Sequence, residues 1–331
     1  MKKLAVAMIS GGLDSSLAAR ILQLQRFEVI GLNIRLPFHR NVTAALRAAQ
    51  DLGISLVLRE VGEDYLHVLR YPKHGYGRGA NPCIDCRAYM LRMAGELMQE
   101  LGGMLVATGE VVGQRPMSQK RRDLGIIAHE SGLQGRLLRP LSAKRLPPTI
   151  PEQEGWVNRD QLYDFSGRSR KELKALARQL GLRHIPDATG GCKLTEVNFA
   201  PKVFDLLDHQ PDAMLWDCEL LTLGRHFRLG EQTKLVIGRN EQQNAALRRL
   251  YDHRQRHECL FVSPANFLGP QAILVGPVDP STVEHAAQII VQYVHRPLPD
   301  SVRFEVCGPA GTTHLSWERR SLAPVSPDPT S

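Results

Sequence analysis

Along the first half of the chain, short uninterrupted apolar runs alternate with longer stretches in which apolar side chains return every three or four positions. Residues 4–9, Leu-Ala-Val-Ala-Met-Ile, contain no polar side chain, the pattern of a strand covered on both faces in a parallel sheet. Leu17, Ala18, Ile21 and Leu22 follow at helical spacing, residues 28–34 read as a second strand, 42–52 as a helix and 55–58 as a third strand. Helical periodicity returns over 89–101, and 104–108 is another apolar strand ending at Thr108-Gly109-Glu110. This βαβαβ order predicts an α/β fold built on a doubly wound parallel sheet, with ligands beyond the carboxyl ends of its strands.

Further along the pattern changes. Residues 120–150 are rich in Arg, Lys, Gly and Pro and read as a basic flap, while 169–180 has Leu173, Leu176, Ala177 and Leu180 on one helical face and charges mostly on the other. Leu-Asp-His-Gln-Pro-Asp at 207–212 breaks the pattern, which predicts one domain over 1–207 and a smaller α+β domain over 213–322. In the latter, 233–238 and 272–278 are β-like and 282–294 helical, and the Pro- and Ser-rich residues 323–331 read as a disordered tail.

At 331 residues the chain is long enough for two cores. Its formal charge of +8 favours a polyanionic partner, though the charges are spread along the whole chain. With no long apolar run and no leader-like start, the expectation is a cytoplasmic protein, in which six cysteines serve as thiols, ligands or nucleophiles rather than disulfides.

Two segments carry chemistry. Ser10-Gly11-Gly12-Leu13-Asp14-Ser15-Ser16 lies where the first strand hands over to a helix, so glycines admit a close anion and the helix start offers unpaired N–H groups. It lacks the Lys-Ser/Thr ending of a Walker A loop, and a plain helix cap is the bland alternative. In Asn81-Pro82-Cys83-Ile84-Asp85-Cys86 two thiols sit just before a helix, and Cys192 stands in Thr189-Gly190-Gly191-Cys192-Lys193. Structural zinc, a redox disulfide and an iron–sulfur cluster with one open iron are all open to three such thiols; the cluster is preferred. Cys218, Cys259 and Cys307 have no ligand spacing and read as buried thiols, and no metal spacing unites the histidines.

The heptad resembles the S-G-G-x-D-S signature of the PP-loop ATP pyrophosphatases, whose fold is of the adenine nucleotide alpha hydrolase type. Asn81-Pro82-Cys83 is similar to the Asn-Pro-Cys element of tRNA 2-thiouridylases. Thr108-Gly109-Glu110, Gly113-Gln114, Ser118-Gln119 and Leu137-Leu138-Arg139-Pro140-Leu141 are more similar to the 4-thiouridine synthetases. The resemblance implies ATP on Ser10, Gly11, Gly12, Asp14, Ser15, Ser16, Asn33, Thr108, Gly109 and Gln114, with Asp14 placing Mg²⁺ or ordering the loop. It implies a [4Fe-4S] cluster on Cys83, Cys86 and Cys192, or, as in cluster-free relatives, a persulfide carrier and a resolving thiol. Catalytic roles then fall on Asp14, Cys83, Cys86 and Cys192, while Arg87 and Lys193 either lower thiolate pKa values or contact AMP.

The second domain carries a further resemblance. Gly224-Arg225-His226-Phe227-Arg228 and Gly238-Arg239-Asn240 with Asn244 resemble the RNA-binding module of NFACT proteins. Arg225, Arg228, Arg239, Arg248 and Arg249 would contact phosphates, Asn240 would join them on the RNA, and Phe227 would stack on a base. A core role for Phe227 and solvated arginines is the alternative.

Together these features imply ATP-dependent tRNA uridine thiolation: a uridine oxygen is adenylated, pyrophosphate leaves, and sulfur is inserted, with 4-thiouridine favoured over 2-thiouridine. The full-length 4-thiouridine synthetases have a rhodanese-like domain that has no counterpart here, so free sulfide or an external donor is expected to supply the sulfur. A monomer and a homodimer are both open. Two other readings are a PP-loop amidotransferase or ligase acting on a small metabolite and a non-catalytic RNA-binding protein. Pyrophosphate exchange stimulated by a metabolite would favour the first, and absence of ATP hydrolysis with any RNA the second.

Overall fold

A computed structural model describes residues 3–38, 42–184, 191–254 and 258–321. It divides into two units, Met1–Thr195 and Glu196–Ser331.

In the first unit, β1 (Leu4–Met8) lies inside a five-stranded sheet with β2 (Glu28–Arg35), β3 (Leu56–Glu60), β4 (Leu105–Ala107) and β5 (Leu137–Leu138). All pairings are parallel and the order is β3-β2-β1-β4-β5. Ala5, Val6 and Ala7 are wholly buried, as the apolar run requires, and the two alanines let the helix Leu13–Leu24 close on the sheet through Leu13, Leu17 and Ile21. Leu173 and Leu176 of the helix Lys171–Gln179 join the same core. Each such leucine withdrawn from water contributes about 1.5–3 kcal/mol. The winding reverses between β1 and β4, so the loops after these two strands flank the switch point where open α/β sheets bind ligands.

Two expectations need correction in this unit. The stretch 120–150 is not a flap: it holds the helix Arg121–Glu130, with Leu124 and Ile127 buried, and the buried edge strand β5. The helix expected over 89–101 begins earlier, at Cys83, and runs to Glu100.

In the second unit, β6 (Arg225–Arg228), β7 (Lys234–Ile237), β8 (Cys259–Pro264), β9 (Ala272–Val275), β10 (Ser301–Gly308) and β11 (Gly311–Glu318) form an antiparallel sheet of order β11-β10-β8-β9-β7-β6. Its central strands bury both faces. Leu235, Ile237 and Leu274 pack under the helix Pro280–Gln292, while Val236, Ile273 and Val275 pack under Trp216, Leu247 and Tyr251. The division between units falls ahead of the break expected at 207–212. Within the second unit, Asp205 on the helix Ala200–His209 forms ion pairs with Arg228 of β6 at 2.7 Å and Lys234 of β7 at 2.6 Å, fastening that helix to the sheet. The expected tail, 323–331, lies outside the described residues. Among the described residues no helix is long and apolar enough to cross a membrane.

Candidate functional site

The turn after β1 is shaped by contacts that leave no room for side chains. Gly11 has φ +82°, and a Cβ there would overlap the backbone of Ala44. Gly109, just beyond β4, passes so close to Asp14 and Ser15 that a Cβ would overlap their backbone. Only glycine fits either position. The hydroxyls brace the turn from inside: Ser15 Oγ donates to the Gly12 carbonyl at 2.8 Å, Ser16 Oγ to the same oxygen at 3.2 Å, and Ser10 Oγ accepts from the Gly12 N–H at 3.3 Å. Asn33 donates to the Ile9 carbonyl at 2.7 Å and so ties β2 to the loop. The Leu13–Leu24 helix starts at this turn without a side-chain cap, a geometry in which early N–H groups can receive an anion.

Asp14, in the first turn, is the charged centre of this loop. Its Oδ2 accepts from Gln114 Nε2 at 3.0 Å, while its buried Oδ1 has no hydrogen-bond partner and faces Arg170 Nη2 at 3.8 Å. A buried carboxylate oxygen with a spare lone pair is what a hard divalent cation takes, so Asp14 fits Mg²⁺. Beneath the loop after β4, Glu110 is buried and held by Arg139 at 2.8 Å and by Thr108 Oγ1 at 3.0 Å, with Arg87 3.9 Å from its other oxygen. Burial alone would raise the Glu110 pKa, but Arg139, Arg87 and Thr108 outweigh it and hold it below the usual value.

Sequence reasoning missed Arg115. Arg115 is exposed, yet partial desolvation lowers its pKa, and the charges of Arg87 and Arg170 push the same way while Asp14 and Cys83 oppose them. It therefore stands within electrostatic reach of both Asp14 in the glycine turn and the Cys83 thiol. Nothing in the local sequence marks it, because its neighbours come from three separate segments.

Cys83 opens the helix Cys83–Glu100 and is half-buried; Cys86, one turn on, is buried. A hydrogen bond from the Ala80 N–H to the Leu194 carbonyl at 2.9 Å draws the segment of Cys192 to the start of this helix. Burial pushes the Cys83 thiol up, with Arg87 and Arg115 opposing and Cys192 adding. For Cys86 burial dominates and the pKa is pushed up to about 12, against a 3.2 Å hydrogen bond donated by Tyr65 Oη and with Cys192 adding. The three expected thiols are thus neighbours; Thr189 and Gly190 of the Cys192 motif lie outside the described residues.

The cluster expected on Cys83, Cys86 and Cys192 finds no support here: among the described residues no three His, Cys, Asp or Glu side chains are gathered to hold a metal ion.

In the second unit the expected RNA contacts separate. Phe227 is 1% exposed within the core, so it cannot stack on a base, which corrects that expectation. Arg228 is engaged by Asp205, and Asn240 caps the helix Glu241–Asp252 by accepting from the Gln243 N–H at 2.9 Å. Gln243 and Asn244 stitch the loops at Gly224, Arg239 and Gln271, so the polar motif builds the turn. Arg239 is exposed, and Arg225 lies 4.6 Å over the ring of Tyr293, an aromatic that the sequence reading passed over.

Residues 2–150 match the model of the tRNA methyl transferase HUP domain. Residues 224–324 match that of the NFACT protein RNA binding domain. Over 269 residues the chain is 26% identical to the tRNA-specific 2-thiouridylase MnmA of Blochmanniella pennsylvanica, covering 74% of this chain and 68% of that protein. It is 27% identical over 270 residues to the MnmA of Rhodospirillum rubrum, covering 70% of this chain and 66% of that one. A 30% match to MnmA 2 of a Thermoanaerobacter species covers 54% of this chain and 51% of the relative. The chain thus spans between about half and two-thirds of these curated relatives. A crystal structure described as a predicted subunit of tRNA methyltransferase from Methanocaldococcus jannaschii superposes with a TM-score of 0.35 at 16% identity, over 54% of this chain and 76% of that one, too distant to bear on fold or function. By sequence, then, the first half is similar to tRNA methyl transferase HUP domains and the last third to the RNA binding domains of NFACT proteins.

Proposed function

We propose that this protein inserts sulfur into a uridine of tRNA with consumption of ATP, and that the product is 2-thiouridine. The observation that carries the reading is geometric: the loop after β4 joins the two chemistries, with Gly109 packed against the backbone of Asp14 and Glu110 lying 3.9 Å from Arg87 of the helix that Cys83 opens. The C2 position replaces the 4-thiouridine expectation because the curated relatives described above bear the name 2-thiouridylase.

In this scheme the uridine carbonyl oxygen attacks the α-phosphorus of ATP and the bond to pyrophosphate breaks. The N–H groups at the start of the Leu13–Leu24 helix receive the departing charge, with Mg²⁺ on Asp14 supplying further charge neutralisation when bound. A terminal persulfide sulfur, loaded on one of the three cysteines by an external donor, then attacks the activated carbon and AMP leaves. A second cysteine thiolate attacks the inner persulfide sulfur, giving an enzyme disulfide and the thiocarbonyl; an external thiol reduces the disulfide for the next turnover. Cys83 is a better carrier than Cys86 because it is less buried and has Arg87 and Arg115 as electrostatic neighbours, and Cys192 serves as the resolving thiol because its charge couples to both others.

The experiment is incubation of the protein with unmodified tRNA, ATP, Mg²⁺ and a persulfide donor, followed by nucleoside mass spectrometry. The expected product is 2-thiouridine, dependent on ATP and lost in Asp14→Ala and Cys83→Ser. Appearance of 4-thiouridine would overturn the assignment of position, and ATP turnover without any thionucleoside would overturn the function.

A further inference from the structure

The helix Lys171–Gln179 packs Leu173, Leu176 and Ala177 into the core of the first unit. Lys171, Lys174 and Arg178 recur on its other side at spacings of three and four, which lines side chains along one stripe of a helix. Lys171 and Arg178 are exposed and Lys174 is half-buried, and none of the three has a side-chain hydrogen bond or an ion pair among the described residues. Glu172 is the one acidic residue of the helix, and as the immediate neighbour of Lys171 it points away from the stripe. The helix Glu241–Asp252 shows the other arrangement, with Arg248 paired to Asp252 one turn on at 3.2 Å. Like charges a turn apart repel, and cations in a first helical turn oppose the peptide dipole. No described carboxylate offsets that repulsion on the stripe; a bound polyanion does.

The placement of the helix identifies the polyanion. Just ahead of it, the Gly167 N–H donates to the Val112 carbonyl beyond β4 at 2.8 Å, and Arg170 Nη2 lies 3.8 Å from Asp14 Oδ1 in the turn after β1. The far end is fixed by Arg20 of the helix Leu13–Leu24, whose Nε donates to the Leu180 carbonyl at 3.1 Å. The stripe therefore begins beside the two loops at the switch point and runs about 10 Å alongside the helix Leu13–Leu24. We propose that Lys171, Lys174 and Arg178 carry the sugar–phosphate backbone of the RNA strand whose uridine enters those loops. This deepens the thiolation reading and rests on it for the choice of tRNA as the polyanion. A uridine placed at the turn brings its neighbouring phosphates onto the adjoining surface, where the stripe begins. Lysine and arginine side chains on an exposed helix face contact phosphates without reading bases, so the stripe positions the strand and leaves the choice of base to other residues.

The test is filter binding of unmodified tRNA to the full chain across a salt series. It compares wild type, Lys171→Gln combined with Arg178→Gln, and a control that removes two other exposed cations, Arg26→Gln with Arg136→Gln. Arg26 and Arg136 precede β2 and β5, at the edge of the sheet opposite the two loops. The stripe variant is expected to lose about tenfold in affinity near 0.15 M salt and about 1.4 to 1.8 in log–log slope, for two contacts. Its melting temperature should stay at the wild-type value, and the control should bind tRNA as wild type does. If the double variant melts lower, the single variants decide, each with a loss of about 0.7 to 0.9 in slope. An unchanged slope in folded variants would overturn the proposal, as would wild-type protein that does not bind tRNA. An equal loss in the control would also overturn it, because net charge alone would then govern binding. The outcome is separable from that of the proposed function. A protein that thiolates tRNA but binds it independently of the stripe loses only the stripe, and one with stripe-dependent binding but no thionucleoside product loses only the thiolation.

Discussion

At the scale of single residues, the site sorts its thiols by environment rather than by motif position. Cys83 and Cys86 share one C-x-x-C word, yet the first is half-buried beside Arg87 and Arg115 and the second is enclosed under Tyr65 with a pKa of about 12. At pH 8 a thiol of that pKa is ionised to about one part in ten thousand, and only the thiolate is nucleophilic. Alkylation by iodoacetamide, read by peptide mass spectrometry, is therefore expected to modify Cys83 well before Cys86, Cys218 or Cys259. Because the Cys83 pKa is raised, its rate should climb steadily from pH 7 to pH 9. A flat profile, or Cys86 reacting first, would contradict the assignment of Cys83 as the accessible sulfur. The presence of three reactive candidates was legible from spacing alone. Their ranking was not, because it depends on Tyr65 and Arg115, which the sequence places far from the cysteines or gives no motif.

At the scale of elements, β4 and β5 show why some of the site was hidden. The apolar strand ending at Thr108-Gly109-Glu110 was readable, but Glu110 is buried only because β5 places Arg139 against it, and β5 is two residues long within a basic stretch that reads as a flap. A two-residue edge strand leaves little periodicity to find, and pairing across a sheet leaves none in the sequence. The same limit hid the β10–β11 hairpin, whose outer strand is largely exposed. The helix Leu13–Leu24 and the parallel strands β1 to β3 were legible because each buries a continuous apolar run or stripe. The Glu110–Arg139 pair also makes a stability prediction. The folded pKa of Glu110 lies below its usual 4.5, so its contribution is full above that value and is lost as the pH falls through the folded pKa. Arg139→Met removes the main partner and leaves a buried carboxylate, at a cost of about 3–5 kcal/mol. Urea unfolding is expected to show the full deficit at pH 7.5 and a smaller one at pH 5, where the stranded carboxyl can take up a proton. An equal deficit at both values would mean that lost packing, not charge, is responsible.

At the scale of the whole chain, a formal charge of +8 and a segment similar to NFACT RNA binding domains combine into a proposal about how tRNA is held. Phosphate contacts release counterions, so affinity should fall as salt rises, by about 0.7 to 0.9 in the log–log slope for each contact. The second unit separates residues that build the sheet from residues free to make such contacts. Phe227 fills the core, Arg228 is engaged by Asp205, and Asn240 caps a helix, whereas Arg239 is exposed and Arg225 lies over Tyr293. Phe227→Ala should therefore cost about 3–5 kcal/mol of stability and weaken tRNA binding only through unfolding, visible as a lowered melting temperature. Arg239→Ala should leave the melting temperature unchanged, weaken tRNA binding, and reduce the salt slope by about one contact, because it removes a charge without touching the core. Filter binding across a salt series measures both quantities on the intact protein. If Arg239→Ala kept the wild-type slope, the tRNA would have to be carried on another face, and the turn stitched by Gln243 and Asn244 would serve the sheet alone.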